Sequence, residues 1–445
     1  MTKFVVSVET FVRLGLLVTV GVLSGCHANG TNRYGAQPSL SLADRCLPSR
    51  LETQDYMLDV ISKLPNYKGI PAQMQVHRVR PIYDSDRCTR LNGDAEAAVI
   101  MVQGRRTDAV TGFDPPVDGY SLQRAIAKAG FDTYTYNHLG YGLSKLTNNR
   151  VMENPCNVSN QLDTPLVEPL PLHAINEQSL LAPNPLREQC AHADNSYFQD
   201  IFSNAAELHD MVLHVLDRSK VASVHLVGWS AGGATIGTYL QDAARATKIG
   251  RTVLLAPTFN LRPDKVPVSG QPKWPVGLNT FQSLTEHFSP SASCPGQIPQ
   301  GMTEELWASQ RRYDSLASRW GSTDPLRGGL TRYPTTIRWG WNPTTAPNVK
   351  NSTLIIIGVL DSARSVNGST DLYNSVGSTN KVLLRIECAS HPAQWEGSTH
   401  PSGWVGPAAV VQDAAIQWFK SGTYRGATTG IYHARVDNTI GTDPK

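Results

Sequence analysis

Ser223-Val224-His225-Leu226-Val227-Gly228-Trp229-Ser230-Ala231-Gly232-Gly233-Ala234 is the stretch on which the fold turns. Ser223 to Val227 reads as a short strand, and the small residues from Ala231 onward open a helix. Between them stands Gly228-Trp229-Ser230-Ala231-Gly232, a G-x-S-x-G pattern set in a strand–turn–helix context. A turn this sharp holds its central serine in a strained backbone conformation and projects the hydroxyl into a cleft. Gly228 and Gly232 keep the turn free of side-chain clashes, while Gly233 and Ala234 extend the small surface on which the helix packs. Ser230 is therefore the candidate nucleophile.

Outward from this turn, short apolar runs alternate with helical patterns, which predicts a mostly parallel sheet. Ala97 to Gln103 is a continuous apolar run suited to a strand buried on both faces. Ser121 can cap a helix to Ala129 that Gly130 stops, and Phe131 to Tyr136 is the next strand. Apolar residues keep helical spacing from Ser196 to Asp217, with Phe198, Ile201, Phe202, Ala205 and Leu208 on one face. Thr252 to Leu255, Ser352 to Ile357 and Lys381 to Ile386 are further strands, and Ala408 to Phe419 is the closing helix. Two stretches interrupt the alternation, at about 147–195 and 258–350; the second carries Trp274, Trp307, Trp320, Trp339 and Trp341. Long stretches without clear periodicity in a compact domain suit lids or binding loops, here expected above the carboxyl end of the sheet. Each Trp is read first as packing within the lid and second as pocket lining.

Asn137-His138-Leu139-Gly140-Tyr141-Gly142-Leu143-Ser144 is similar to the DxxGxGxS segment that follows a strand in many α/β-hydrolases. With the G-x-S-x-G turn, it makes the chain resemble that family over roughly 97–144, 197–257 and 352–419. Asn137 replaces the usual Asp at a structural position. The resemblance implies an α/β-hydrolase fold, a mostly parallel central sheet flanked by helices, with cap insertions. It also implies the chain order Ser, acid, His. Asp361, after the strand ending at Ile357, stands at the family's acid position, and His391, after the strand ending at Ile386, at its base position. His391 is followed by Trp395-Glu396, an arrangement found in some members. His400 competes for the base and Asp371 for the acid. The oxyanion donors implied are the backbone N–H groups of Ala231 and Arg105, since Gln103-Gly104-Arg105 occupies the place of the family's His-Gly motif.

At the N-terminus, Lys3 and Arg13 flank a first segment, and the apolar run from Leu14 to Leu23 suits a signal peptide but is too short to span a membrane. Leu23-Ser24-Gly25-Cys26 resembles the lipobox of bacterial lipoproteins. The resemblance implies a signal peptide over 1–25, acylation of Cys26, a tether over 26–45 and an anchored, extracytoplasmic enzyme over 46–445. Stable anchoring needs more than one acyl chain. Six other cysteines in an exported chain argue for disulfides. Six cysteines allow 15 pairings and the sequence does not choose among them; pairing sequence neighbours, one of these, gives Cys46–Cys88, Cys156–Cys190 and Cys294–Cys388.

The 445-residue chain is 40% hydrophobic and only 17% charged, with 36 Gly and 29 Pro, as expected of a loop-rich extracytoplasmic enzyme. A net charge of +3 without a basic stripe argues against a nucleic-acid partner. His209 and His214, five apart on one helix, lack the HExxH spacing and read as surface residues; His138 reads as structural. No metal or cofactor is expected, for there is no CxxC, GxGxxG or P-loop pattern. The expected activity is cleavage of a small-molecule carboxylic ester with an apolar or aryl acyl group through an acyl-enzyme on Ser230. The alternatives are an amidase or peptidase, a cofactor-free perhydrolase, or a surface lipoprotein that only binds. An Asp at position 230 would be needed for epoxide or haloalkane hydrolysis.

Overall fold

The computed structural model describes residues 47–84, 97–147, 198–265, 276–288, 293–314, 317, 324–363 and 366–442. Its order begins with β1 (Arg50–Ile61), β2 (Pro71–Ile82), β3 (Ala97–Val102), α1 (Ala109–Phe113), α2 (Leu122–Lys128), β4 (Thr133–Tyr136), β5 (Lys145–Leu146) and β6 (Gln199–Asp200). It continues through α3 (Ile201–Ser219), β7 (Ser223–Trp229), α4 (Ala231–Leu240), α5 (Ala243–Ala246) and β8 (Ile249–Leu255). The segment expected as a lid contributes β9 (Val276–Asn279), α6 (Phe281–Phe288), α7 (Met302–Tyr313), β10 (Thr331–Pro334) and β11 (Thr336–Ile337). The last elements are β12 (Ser352–Gly358), α8 (Val366–Ser375), β13 (Lys381–Ile386), α9 (Pro407–Ser421), β14 (Thr429–Ala434) and β15 (Ile440–Thr442).

One sheet runs β1-β2-β4-β3-β7-β8-β12-β13-β14-β15, with β5 beside β2. From β4 to β14 every neighbouring pair is parallel, so these strands all end at one edge. Strands covered by helices on both faces need apolar residues on both, and β3, β7 and β12 meet that need with residues almost all buried. The fold is the α/β arrangement expected, with antiparallel margins: β1 on β2, β2 on β4, and β15 on β14.

The sequence alone does not announce these margins. In β1, Tyr56, Leu58 and Val60 pack on the core, while Glu52, Asp55 and Asp59 share the strand with them. Charges on a strand at the edge of a sheet block pairing with another chain, but they also dilute the apolar signal. β14 and β15 follow the helix expected to close the fold.

The helix expected from Ser196 begins at Ile201 instead. Gln199 and Asp200 are taken up in a parallel pairing with Thr336 and Ile337. Asp200 then caps α3 through a capping box, its carboxylate accepting from the Ser203 N–H at 2.7 Å while Ser203 Oγ accepts from the Asp200 N–H at 3.0 Å. Phe202 does not face the core as its spacing suggested; it is exposed and meets the Trp339 ring at 5.0 Å.

The 258–350 segment is more regular than its sequence suggested, with two helices and a β9–β10 pair. Trp307 and Trp341 are fully buried. Trp307 donates to Gly328 O at 3.1 Å and meets Phe281 edge-on, while Trp341 lies against Gly237 of α4 so closely that a Cβ there would come within 2.3 Å of the indole. Both indoles are packing, not pocket lining. Of the three expected disulfides, Cys294–Cys388 is formed. The other two pairs, Trp274, Trp320, the signal peptide, Cys26 with its tether, and nearly all of 147–195 lie outside the described residues. Among the described residues no helix is long and apolar enough to cross a membrane.

Candidate active site

β7 delivers Ser230 to the carboxyl edge of the sheet. Its backbone stands at φ 52°, ψ −113°, at the cap position of α4, and its hydroxyl makes no capping bond. A non-glycine residue at positive φ is strained and persists only where its surroundings hold it. Here the Ser230 N–H donates to Leu255 O at 2.8 Å, and its carbonyl accepts from the N–H groups of Gly233 at 3.1 Å and Thr258 at 2.9 Å. The two glycines of the motif are there for close approach. A Cβ on Gly228 would lie 2.8 Å from Gly233 N, and one on Gly232 only 2.1 Å from Val102 O.

That contact sets the end of β3 against the first turn of α4. Gln103 and Gly104 continue along it, and a Cβ on Gly104 would meet the Trp229 indole at 2.9 Å. The chain just before Arg105 therefore runs beside Ala231, the other candidate oxyanion donor. The Arg105 guanidinium lies over the Tyr333 ring of β10 at 5.3 Å, with Arg106 over the same ring at 5.6 Å.

Asp361 and His391 leave the same sheet edge from the adjacent strands β12 and β13. His391 Nδ1 and Asp361 Oδ2 are 2.9 Å apart. Their loops pack back to back: the Leu360 N–H donates to Ala389 O at 2.8 Å, and a Cβ on Gly358 would come within 2.3 Å of that oxygen. Trp229, the residue before Ser230, joins them, its Nε1–H donating to His391 O at 3.1 Å. Its ring also packs on the imidazole at 5.7 Å and edge-on to Trp395 at 4.9 Å. Ser230, Asp361 and His391 are all buried. The competitors are engaged elsewhere: His400 Nδ1 with Ser402 Oγ at 2.8 Å, and Asp371 Oδ2 with Asn260 Nδ2 at 3.1 Å.

Asn137 is structural, accepting from the Ala109 N–H at 2.6 Å and donating to Gln75 Oε1 at 2.8 Å. His138 is buried 2.7 Å from Glu207, whose carboxyl burial pushes up. His209 and His214 are not free surface residues: His209 meets the Tyr239 hydroxyl at 3.2 Å, and His214 meets that of Tyr56 at 2.7 Å. Among the described residues no cluster of three or more His, Cys, Asp or Glu side chains could hold a metal.

In the sequence Glu396 stands out only as part of the pattern with His391 and Trp395. It is fully buried and accepts from the Ser390 N–H at 2.7 Å, from the Ser390 hydroxyl, and from Gln297 Nε2 at 3.0 Å. Burial pushes its carboxyl up to about 7, against the downward pull of these hydrogen bonds. An acid so close behind a candidate base was the available signal. The part played by Trp229 left none, because the variable position of the motif tolerates many residues.

A family model described as the α/β hydrolase fold matches residues 112–398. No curated protein matches the chain. Among solved structures it is similar to a carboxylesterase of Bacillus subtilis, with 11% identity, a TM-score of 0.44, and coverage of 83% of this chain and 93% of that one. It is also similar to a serine hydrolase of Cycloclasticus zankles, with 11% identity, a TM-score of 0.42, and coverage of 83% and 98%. A monoacylglycerol lipase of Paleococcus ferrophilus is a third, with 15% identity, a TM-score of 0.38, and coverage of 73% and 94%.

Proposed function

The chain belongs to the α/β-hydrolase fold family and is a hydrolase of that kind; on this premise we propose that it cleaves a carboxylic ester through an acyl-enzyme on Ser230. The observation that carries the reading is a serine held at φ 52° at the strand–helix turn, beside a Trp whose indole grips the backbone of a histidine paired with Asp361.

A serine hydroxyl is a weak nucleophile until a base accepts its proton, and His391 takes that role. Asp361 fixes the imidazole tautomer through Nδ1 and stabilises the imidazolium formed when Nε2 takes the proton. The new Ser230 Oγ–carbon bond turns the ester carbonyl into an oxyanion. The N–H groups of Ala231 and Arg105 receive it, each worth roughly 10²–10³ in kcat by analogy with other acyl-transfer enzymes. The N-terminus of α4 adds its positive end at the same place. Collapse expels the alcohol, protonated by His391. Water activated by the same imidazole then releases the acid and restores Ser230.

An apolar or aryl acyl group remains the favoured substrate. With Trp307 and Trp341 committed to packing, the 258–350 segment supports that choice less strongly than its tryptophan content suggested. The test is hydrolysis of p-nitrophenyl esters of increasing acyl length by wild type and Ser230→Ala. Activity lost in the variant is the expected result; equal rates in both would refute a nucleophile at this position.

The N-terminal pattern supports export and a lipid on Cys26. Cys26→Ser should move the protein out of the membrane fraction, and a wild type found wholly in the soluble fraction would rule the anchor out.

A further inference from the structure

We propose that Glu396 is a positioning residue for the candidate base, holding the backbone of Ser390 so that His391 stays aligned on Asp361. The inference rests on the proposed role of His391 and concerns what keeps that residue in place.

The His391 side chain meets Asp361 through Nδ1, and its alignment on that carboxylate also depends on the backbone that carries it. That backbone is gripped on two sides. Trp229 Nε1–H donates to the carbonyl of His391, and the N–H of Ser390 donates to Glu396 Oε2. The Ser390 N–H, the Ser390 hydroxyl and Gln297 Nε2 all donate to the Glu396 carboxyl oxygens. Gln297 cannot turn its amide over without loss, because its Oε1 already accepts from the N–H groups of Ser293 at 3.0 Å and Cys294 at 3.2 Å. Only the Ser390 hydroxyl could accept as well as donate. The site is thus built for two oxygens that both accept, which a carboxyl group supplies and an amide does not.

Burying such a group is expensive unless its hydrogen bonds are complete. A fully buried glutamate kept beside a second acid, Asp361, is a poor choice for packing alone. Its bonds tie together two pieces of chain: the loop 388–397, which bears His391, and the segment 293–299. A backbone bond completes the tie, with the Gly397 N–H donating to Gln297 O at 2.9 Å, while the Ala408 N–H of α9 donates to Glu396 O at 3.0 Å and holds the loop to that helix. The Cys294–Cys388 disulfide joins the same two pieces on the other side of His391.

The test compares wild type, Glu396→Gln and Gln297→Met by three readouts: kcat and KM on a p-nitrophenyl ester, the rate of labelling by a fluorophosphonate, and the far-downfield proton resonance of the His391–Asp361 hydrogen bond. In Glu396→Gln one amide N–H meets a donor, whichever way the side chain turns. Misalignment of the base should then lower kcat and the labelling rate by roughly tenfold or more, leave KM within about twofold, and displace the resonance. Gln297→Met should act in the same direction with a smaller effect. A folded Glu396→Gln with wild-type kcat and an unmoved resonance overturns the proposal. If Glu396→Gln does not fold, Gln297→Met decides by the same criteria. A wild type inert to esters and to fluorophosphonate would count against the proposed function instead, and the resonance would still report whether Glu396 aligns the pair.

Discussion

Replacing Gly232 by alanine adds one methyl group at the place where the nucleophile turn meets the end of β3. The new Cβ would sit 2.1 Å from Val102 O, 2.7 Å from Gln103 O and 2.7 Å from Val102 C. Relaxed carbon–oxygen contacts lie at about 3.3 Å or beyond, so the first is short by roughly 1 Å. All three obstructing atoms are backbone, and no rotamer change relieves them. Either the first turn of α4 or the strand end must shift by a distance of that order. The shift would part the two segments from which the N–H groups of Ala231 and Arg105 are proposed to face one oxyanion. A displacement of about 1 Å can cost roughly 10²-fold in rate, and overpacking of this kind costs about 1–3 kcal/mol in stability. The assay is kcat and KM on a p-nitrophenyl ester, with urea unfolding to establish that the variant is folded under assay conditions. The expected loss falls on kcat. A folded Gly232→Ala enzyme with kcat within about threefold of wild type would refute both the tight contact and the oxyanion reading built on it.

Two further predictions follow from other parts of the fold. His391→Ala should lose activity by up to roughly 10⁶-fold, as when a base is removed from other triads, whereas His400→Ala should stay within about threefold. Comparing kcat/KM of the two variants checks this, and the reverse order would transfer the base to His400. In the β1–β2 hairpin, buried His77 holds Asp55 at 2.6 Å and Asp114 at 2.9 Å. Burial pulls its pKa down, but the bonds to Asp114 and Asp55 outweigh burial and raise it to about 9, from 6.5 in the unfolded chain. A raised histidine pKa stabilises the fold fully below about pH 6.5, and that contribution disappears as pH climbs through about 9, a change on the order of 3 kcal/mol. Urea unfolding of wild type and His77→Gln between pH 6 and 9.5 should show the stability gap closing; a gap independent of pH would refute the assignment.

The legible parts of this fold are those where one physical demand acts alone. β3, β7 and β12 must be apolar on both faces, so their sequences read as strands. The turn at Ser230 must be free of side chains, so its glycines read as a motif. Asp361 and His391 were reached through chain order and now lie 2.9 Å apart. Where two demands compete, the sequence is ambiguous. β1 must both pack on the core and discourage edge pairing, and its mixed residues hide the strand. Gln199 and Asp200 look like a helix start until Thr336 and Ile337, far along the chain, draw them into a pairing. The tryptophans of the 258–350 segment read first as packing, as Trp307 and Trp341 are, but that Trp341 fills the hollow left by Gly237 is a complementarity that no local pattern announces. Glu396 was visible as a letter after the histidine; its purpose depends on Gln297, which lies in a different part of the sequence.

The bond between Cys294 and Cys388 ties the 258–350 segment to the loop that bears His391, so that segment is not an exchangeable module. In enzymes whose caps are joined to the core only by their two chain ends, substrate range can change by swapping the cap while the catalytic floor is left alone. Here an exchange of 258–350 would also remove the partner of Cys388, leaving a free thiol three residues from His391, and would remove Gln297 from Glu396. Selection for a new substrate would act on the reacting centre in the same step. Variation in this lineage should therefore concentrate away from residues 293–299, and an engineer grafting a foreign cap would need to keep that stretch as part of the core.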